Sequence, residues 1–194
     1  MAGLPKAAAD ALHRLMAGNE RYRSGATMTP PESFSQFEAG QAPFAAVLSC
    51  ADSRVPPEWV FGAGPGELFV VRVAGNVATP TQIGSLEYAV GQLNCPLILV
   101  MAHTHCGAVA AAQGDLDQLP ENLSPLMDEI TAALSQTGID ARAPEERNAR
   151  YVAEALPRRS TLISGQLEAG TLGIACATYD LATGEVELHT RPAD

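Results

Sequence analysis

The chain has 194 residues, 46% of them hydrophobic, with 12 basic against 22 acidic side chains and a formal net charge of −10. A single packed domain spanning 1–194 is expected, burying about 70% of its unfolded surface, and disorder is not. The acidity excludes a nucleic-acid binder, which needs a basic stripe, and no run reaches the ~18 apolar residues of a membrane span.

In chain order, MAGLPKAAADALHRLMAGNERYRSG (1–25) reads as an amphipathic helix and lacks the apolar stretch and cleavage site of a secretory signal. A reducing cytoplasm is the expected setting, where four cysteines serve as thiols or metal ligands rather than as a disulfide framework. A polar connection (27–43) leads to three apolar runs: FAAVLSC (44–50), ELFVVRVAG (67–75) and PLILVMAHT (96–104). Their near-continuous hydrophobicity suits strands of a parallel sheet covered on both faces. Between the second and third, TPTQIGSLEYAVGQLN (79–94) predicts a helix from about Ile83, capped by Thr79 or Thr81, which makes a right-handed crossover unit. Helices are also predicted over 123–138 and 143–156, and a strand–turn–strand over 170–190 with its turn near ATGE. The expected fold is α/β: a mainly parallel central sheet flanked by helices, with an N-terminal helical arm and an added C-terminal edge strand.

GAGPGE (62–67) imitates a phosphate loop, but its glycines are misspaced and it precedes a strand, so it reads as a tight turn. Cys95 and Cys176 read as strand residues without a role. His13 and His189, among polar neighbours, are expected to be exposed.

Open α/β sheets bind ligands beyond the carboxyl ends of their strands. The first strand ends in Cys50 and the third runs into HTHCGAV (103–109). Cys50 alone reads as a core thiol, and His103-x-x-Cys106 alone as a chance or structural pair. Together, at the ends of two neighbouring strands and beside Asp52 and Arg54, they form a zinc set with a fourth position open. Gly107 would allow close backbone approach there.

These segments resemble the β-class carbonic anhydrases. CADSRVPPE (50–58) resembles their Cys-x-Asp-x-Arg signature and HTHCGAV their His-x-x-Cys-Gly signature; LMAGNERYRSG, FVVRVAGN, GSLEYAV and GTLGIACATYDLATGEV extend the likeness along nearly the whole chain. The resemblance implies a zinc enzyme interconverting carbon dioxide and bicarbonate, built as a homodimer or dimer of dimers. It implies one zinc ion per chain on Cys50, His103 and Cys106, with Asp52 and Arg54 as the catalytic dyad and Asp52 as a fourth ligand in a closed state. Gln41 falls on a substrate-binding position, and Phe69, Ala74 and Tyr88 on positions lining the carbon dioxide pocket, some of them across the dimer interface. The Gly107 amide and Gln41 would hold the developing bicarbonate oxygens. Val47 stands where one branch of the family has the tryptophan of an inhibitory bicarbonate site, so no such site is expected. Gly62, Ala63 and His105 depart from the usual pattern, and His105 is a candidate for exporting protons. Because two thiolates neutralise the ion, activity is expected to grow into the alkaline range. Two rival functions fit the same scaffold: hydrolysis of carbon disulfide or carbonyl sulfide, and a non-catalytic zinc or bicarbonate sensor with Asp52 as permanent ligand.

Overall fold

The computed structural model describes residues 3–26, 31, 33–116 and 119–189. Five strands form one sheet: β1 (Ala45–Ser49), β2 (Leu68–Arg72), β3 (Leu97–His103), β4 (Gly173–Tyr179) and β5 (Val186–His189). Their order is β2-β1-β3-β4-β5, parallel except for the β4–β5 pair. The helices are α1 (Lys6–Arg23), α2 (Pro57–Val60), α3 (Pro80–Gly91), α4 (Gly107–Ala111), α5 (Ser124–Ser135), α6 (Pro144–Arg159) and α7 (Thr161–Glu168). This is the expected α/β architecture, with α1 as the N-terminal arm and β5 as the added edge strand. Parts of the polar connection (27–30 and 32), and residue 190 at the end of the final strand segment, lie outside the described residues.

Every residue of β1 and β3 is buried, because each strand presents alternate side chains to a different helical layer. Val47, Leu97, Leu99 and Met101 meet Leu12 and Leu15 of α1. Ala46, Leu48, Ile98 and Val100 meet Leu86 of α3, Ala149 and Val152 of α6 and Ile163 of α7. Each large aliphatic side chain buried in this way contributes about 1.5–3 kcal/mol.

Gly18 and Asn19 set how α1 docks. A Cβ on Gly18 would lie 1.9 Å from the Phe61 carbonyl oxygen, so only glycine admits this approach. Next to it, the Asn19 Nδ2 amide donates to the carbonyls of Val60 (3.0 Å) and Gly184 (2.9 Å), while its Oδ1 accepts from the Val186 N–H (3.0 Å). One buried amide thereby ties the arm to the α2 turn and to the start of β5.

The structure corrects several details of the sequence reading. The helix expected from about Ile83 starts at Pro80, with Thr79 at its cap position; the Thr79 hydroxyl bonds the Gln82 side chain instead of capping the backbone. α6 continues past Leu156 and Pro157 to Arg159, whose Nη1 donates to the Ala78 carbonyl (3.0 Å) and to Glu129 (2.7 Å). α7 was not anticipated, although Ser160 caps it by accepting from the Ile163 N–H at 3.1 Å. His189, expected to be exposed, is buried with 2% of its side chain accessible, because β5 closes over α6 and sets the ring between Thr178 and Glu146. His13 is exposed, as expected.

Candidate metal centre

The chain leaves β1 towards β2 on one side and later returns to β3 on the other, which makes the β1/β3 junction the switch point where an open α/β sheet forms a crevice. The register Ser49↔Met101 brings the carboxyl ends of both strands nearly level. Cys50 is the first residue beyond β1, and His103 is the last of β3. Thr104 prolongs the ladder through its N–H to the Tyr179 carbonyl at 2.9 Å. His105 then adopts φ 55, a left-handed conformation rare for a residue with a side chain, and turns the chain back. Cys106 consequently caps α4 on the same side as Cys50. Gly107 was expected to allow a close backbone approach, yet nothing lies within 4 Å of where its Cβ would be; the tight turn belongs to His105.

The ligand atoms of Cys50, His103 and Cys106 all lie within 4.8 Å of one another, and all three residues are buried. The two sulfurs are 3.9 Å apart. His103 Nδ1 faces the Thr104 carbonyl at 2.9 Å, which assigns its proton there and leaves Nε2 as the free lone pair. That Nε2 is buried and has no hydrogen-bond partner. An orphaned imidazole nitrogen beside two thiols is costly in a protein interior unless something accepts its lone pair. A divalent ion of the zinc type does so, and two sulfurs with one imidazole are a zinc donor set that leaves a fourth position open.

The charges point the same way. The two thiols share one hydrogen bond, which pulls Cys50 well below its ordinary value and pushes Cys106 up. Burial alone would lower His103, but the Cys50 sulfur and the Asp52 carboxylate outweigh it and hold the imidazole above its ordinary value. Arg54 holds the Asp52 carboxyl well below the usual carboxylate range. A pocket that gathers negative charge in this way favours a cation.

Asp52 and Arg54 stand at the rim of this cluster. The Arg54 backbone N–H closes a turn on Asp52 Oδ1, and its guanidinium reaches both carboxylate oxygens. Asp52 Oδ2 is 3.7 Å from His103 Nε2. Arg54 Nη2 also approaches the His105 carbonyl at 3.4 Å, joining the two ligand-bearing loops, while the His105 side chain is exposed.

Of the pocket residues, Ala74 is half-buried and opens the turn Ala74–Asn76, next to Cys50. The Phe69 and Tyr88 rings pair at 6.2 Å between β2, an edge of the sheet, and α3, with Tyr88 51% exposed. Gln41 is not brought to the cluster. It precedes β1 and lines a groove of about 520 Å³ with Arg14, Phe37 and Phe44, at the opposite end of the strand from Cys50. Val47 is fully buried in β1. Burial pushes the Cys95 and Cys176 thiols up to about 11, consistent with residues that have no chemical role. Cys176 lies in β4 as expected, whereas Cys95 sits two residues before β3 rather than within the strand.

Sequence reasoning missed three residues that hold the Cys50 loop. Arg72 donates from Nε to the Cys50 carbonyl (3.0 Å) and from Nη2 to the Asp52 carbonyl. The Gly75 N–H points at Cys50 Sγ at 3.4 Å, and Asn148 Nδ2 donates to the Gly75 carbonyl at 2.7 Å. RVAGN carries a weak signal, a glycine at a strand end; nothing adjacent in the sequence marks Asn148.

The family model described as carbonic anhydrase matches residues 45–186, which include the whole cluster. The carbonic anhydrase of Mycolicibacterium smegmatis is 37% identical over 192 residues, covering 93% of this chain and 92% of that protein. Carbonic anhydrase 2 of Mycobacterium tuberculosis is 37% identical over 185 residues, covering 90% and 89%. Among solved structures, the Coccomyxa β-carbonic anhydrase in complex with acetazolamide superposes with a TM-score of 0.71 at 25% identity, covering 95% of this chain and 84% of that one. A tetrameric β-carbonic anhydrase of the ascomycete Sordaria macrospora superposes with a TM-score of 0.70 at 23% identity, covering 94% and 98%. A parallel-sheet protein with a Cys-His-Cys cluster at its switch point is thus matched along nearly its whole length, and the chain belongs to the β-class carbonic anhydrase family.

Proposed function

We propose that this chain catalyses the reversible hydration of carbon dioxide to bicarbonate and a proton, with one zinc ion per chain held by Cys50 Sγ, His103 Nε2 and Cys106 Sγ. The observation that carries this reading is the orphaned His103 Nε2 among two buried sulfurs, with a charge-paired carboxylate at the rim. A zinc ion in this set supplies Lewis acidity, making a hydroxide nucleophile available near neutral to alkaline pH. The remaining work falls to the protein.

Asp52 stays ionised because Arg54 pairs with both its oxygens, so at the open side of the cluster it is an acceptor only. It takes a hydrogen bond from the attacking oxygen and thereby aims that oxygen's lone pair at the carbon. Arg54 fixes the carboxylate through a forked, charge-assisted pair. The Gly107 N–H, at the first position of α4, has no intrahelical partner and is available to the developing bicarbonate oxygen.

Gln41, as a second donor to bicarbonate, must come from another copy of the chain. Its own Cys50 is on the order of 15 Å away along β1. The open β2 edge and the exposed Tyr88 provide a face on which a homodimer brings Phe69, Tyr88 and Gln41 to the partner's cluster.

The test is stopped-flow hydration of carbon dioxide by zinc-loaded protein, with carbonyl sulfide and carbon disulfide hydrolysis measured beside it. Cys50→Ser, His103→Ala and Cys106→Ser are each expected to lose both zinc and hydration activity. Stoichiometric zinc with normal turnover in any of the three would overturn the assignment. Turnover of the sulfur compounds without carbon dioxide hydration would assign the alternative substrate.

A further inference from the structure

We infer that Asn148 is a positioning residue of the metal centre, acting on the Cys50 sulfur through the two peptide groups that flank Gly75. The inference rests on the zinc reading above. Asn148 is fully buried on α6, and its Nδ2 donates to the Gly75 carbonyl at 2.7 Å. On the other side of the same Cα, the Gly75 N–H donates to Cys50 Sγ at 3.4 Å.

Gly75 is held in this pose from three directions. Its φ of 70 is left-handed, and a Cβ there would lie 2.6 Å from Ile130 Cδ1 and 3.4 Å from Ala108 Cβ. The turn it occupies, Ala74–Asn76, is not a regular helical turn, so no backbone ladder fixes the direction of its carbonyl. The Asn148 amide supplies that fix. Placing an amide with no exposed surface opposite one peptide carbonyl commits a core position to a single hydrogen bond, on a helix face that also buries Ala149, Val152 and Leu156.

The chemical consequence falls on the sulfur. A thiolate that accepts an N–H bond donates less charge to a metal, so the metal keeps more of its Lewis acidity; hydrogen bonds to a ligand atom tune affinity as well. Cys106 faces the backbone N–H groups of Ala108 and Val109 at the start of α4, and Cys50 also that of Asp52. The Gly75 N–H is the donor whose direction Asn148 sets.

Cobalt(II) replaces zinc as the probe, because sulfur-to-cobalt charge-transfer bands report thiolate electron density without reference to turnover. Wild-type protein is expected to take up one equivalent with these bands. Asn148→Ala and the near-isosteric Asn148→Asp are expected to stay folded by circular dichroism and to bind cobalt and zinc about 10- to 100-fold more weakly in chelator competition. Their charge-transfer bands should move to lower energy, as the unbonded thiolate becomes more electron-rich. In wild-type protein loaded with cadmium-113, scalar coupling between the metal and the Gly75 amide proton reports the N–H···S bond directly. Absence of that coupling, or folded variants with wild-type bands and affinity, overturns the role of Asn148 alone. If neither variant folds, Asn148 is a structural residue and the inference falls. Failure of the wild-type chain to bind cobalt through sulfur overturns the zinc reading itself.

Discussion

Arg54 grips Asp52 through three donors: its Nε and its backbone N–H each reach Oδ1 at 2.9 Å, and Nη2 reaches Oδ2 at 2.6 Å. The carboxylate so held stands 3.7 Å from His103 Nε2, close enough to become a ligand once released. Carboxylate oxygen is an acceptable partner for zinc. On the zinc reading proposed above, Arg54 would keep the fourth position accessible. Arg54→Ala is expected to retain zinc while losing about 10- to 100-fold in hydration turnover per metal. Arg54→Lys should not restore turnover, since a point charge cannot span both oxygens. Wild-type turnover per zinc in Arg54→Ala would show that the pair is not a latch.

Gln41 and Cys50 flank opposite ends of β1, and this arrangement makes a clean test of a shared site. Heterodimers of a Cys50→Ser chain and a Gln41→Ala chain, purified on two different tags, contain one site lacking both groups and one lacking neither. In an isologous pair such a heterodimer should keep about half of wild-type activity. Were Gln41 to act within its own chain, the heterodimer would be no more active than the Gln41→Ala homodimer. A fully active Gln41→Ala homodimer would remove the residue from the site.

The central strands were readable in the sequence because β1 and β3 are covered on both faces and carry uninterrupted apolar runs. The three candidate ligands were readable for a related reason: each lies at or just beyond a strand end, where a reactive side chain interrupts that apolar pattern. α7 was harder. TLISGQLE opens on threonine and contains Gly165, both poor helix formers, and the helix is fixed by the Ser160 cap and by burial of Ile163. His189 misled because its sequence neighbours are polar, whereas its surroundings are set by Glu146 of α6, which lies more than forty residues earlier in the chain. Asn148 and Arg72 act on loops far from them in sequence, and only tertiary packing brings them there.

Gly18 marks where the arm meets the body of the protein. Adding one methyl at this position puts carbon 1.9 Å from a backbone oxygen that cannot rotate away. Either α1 shifts and strains the three Asn19 hydrogen bonds, or the α2 turn moves. Gly18→Ala is therefore expected to cost about 1–3 kcal/mol or more, despite alanine's better helix propensity. Urea unfolding of the apo chain measures this. A variant as stable as wild type would mean that α1 docks elsewhere.

His189 predicts how the β5 edge responds to acid. Its Nε2 lies 2.7 Å from Thr178 Oγ1, and its Nδ1 is 3.3 Å from Glu146 Oε1. Glu146 also receives Arg150 Nε at 2.8 Å and the Arg142 N–H at 3.1 Å, and Glu187 joins the rim through Arg142. Burial lowers the His189 pKa and outweighs the attraction of Glu146, so the folded ring is neutral. In the unfolded chain it titrates near the ordinary value of about 6.5. Stability from a neutral buried ring is present above that pH and is lost as pH falls from there towards the lower folded value, because the unfolded state takes up the proton first. Glu146 is expensive to bury, but its bonds from Arg142 and Arg150 hold its pKa below the ordinary value. Its contribution is lost only as pH falls through that lower folded pKa, in a more acidic window. Between about pH 7 and 5 the His189 effect therefore dominates at this edge. His103, whose pKa is raised, contributes with the opposite sign, so the decisive comparison is between two proteins that share it. His189→Gln keeps polar atoms towards Thr178 and Glu146 and removes the titration. Its melting temperature should depend less on pH across this range than that of wild type. Parallel pH profiles for the two proteins would place the acid sensitivity elsewhere.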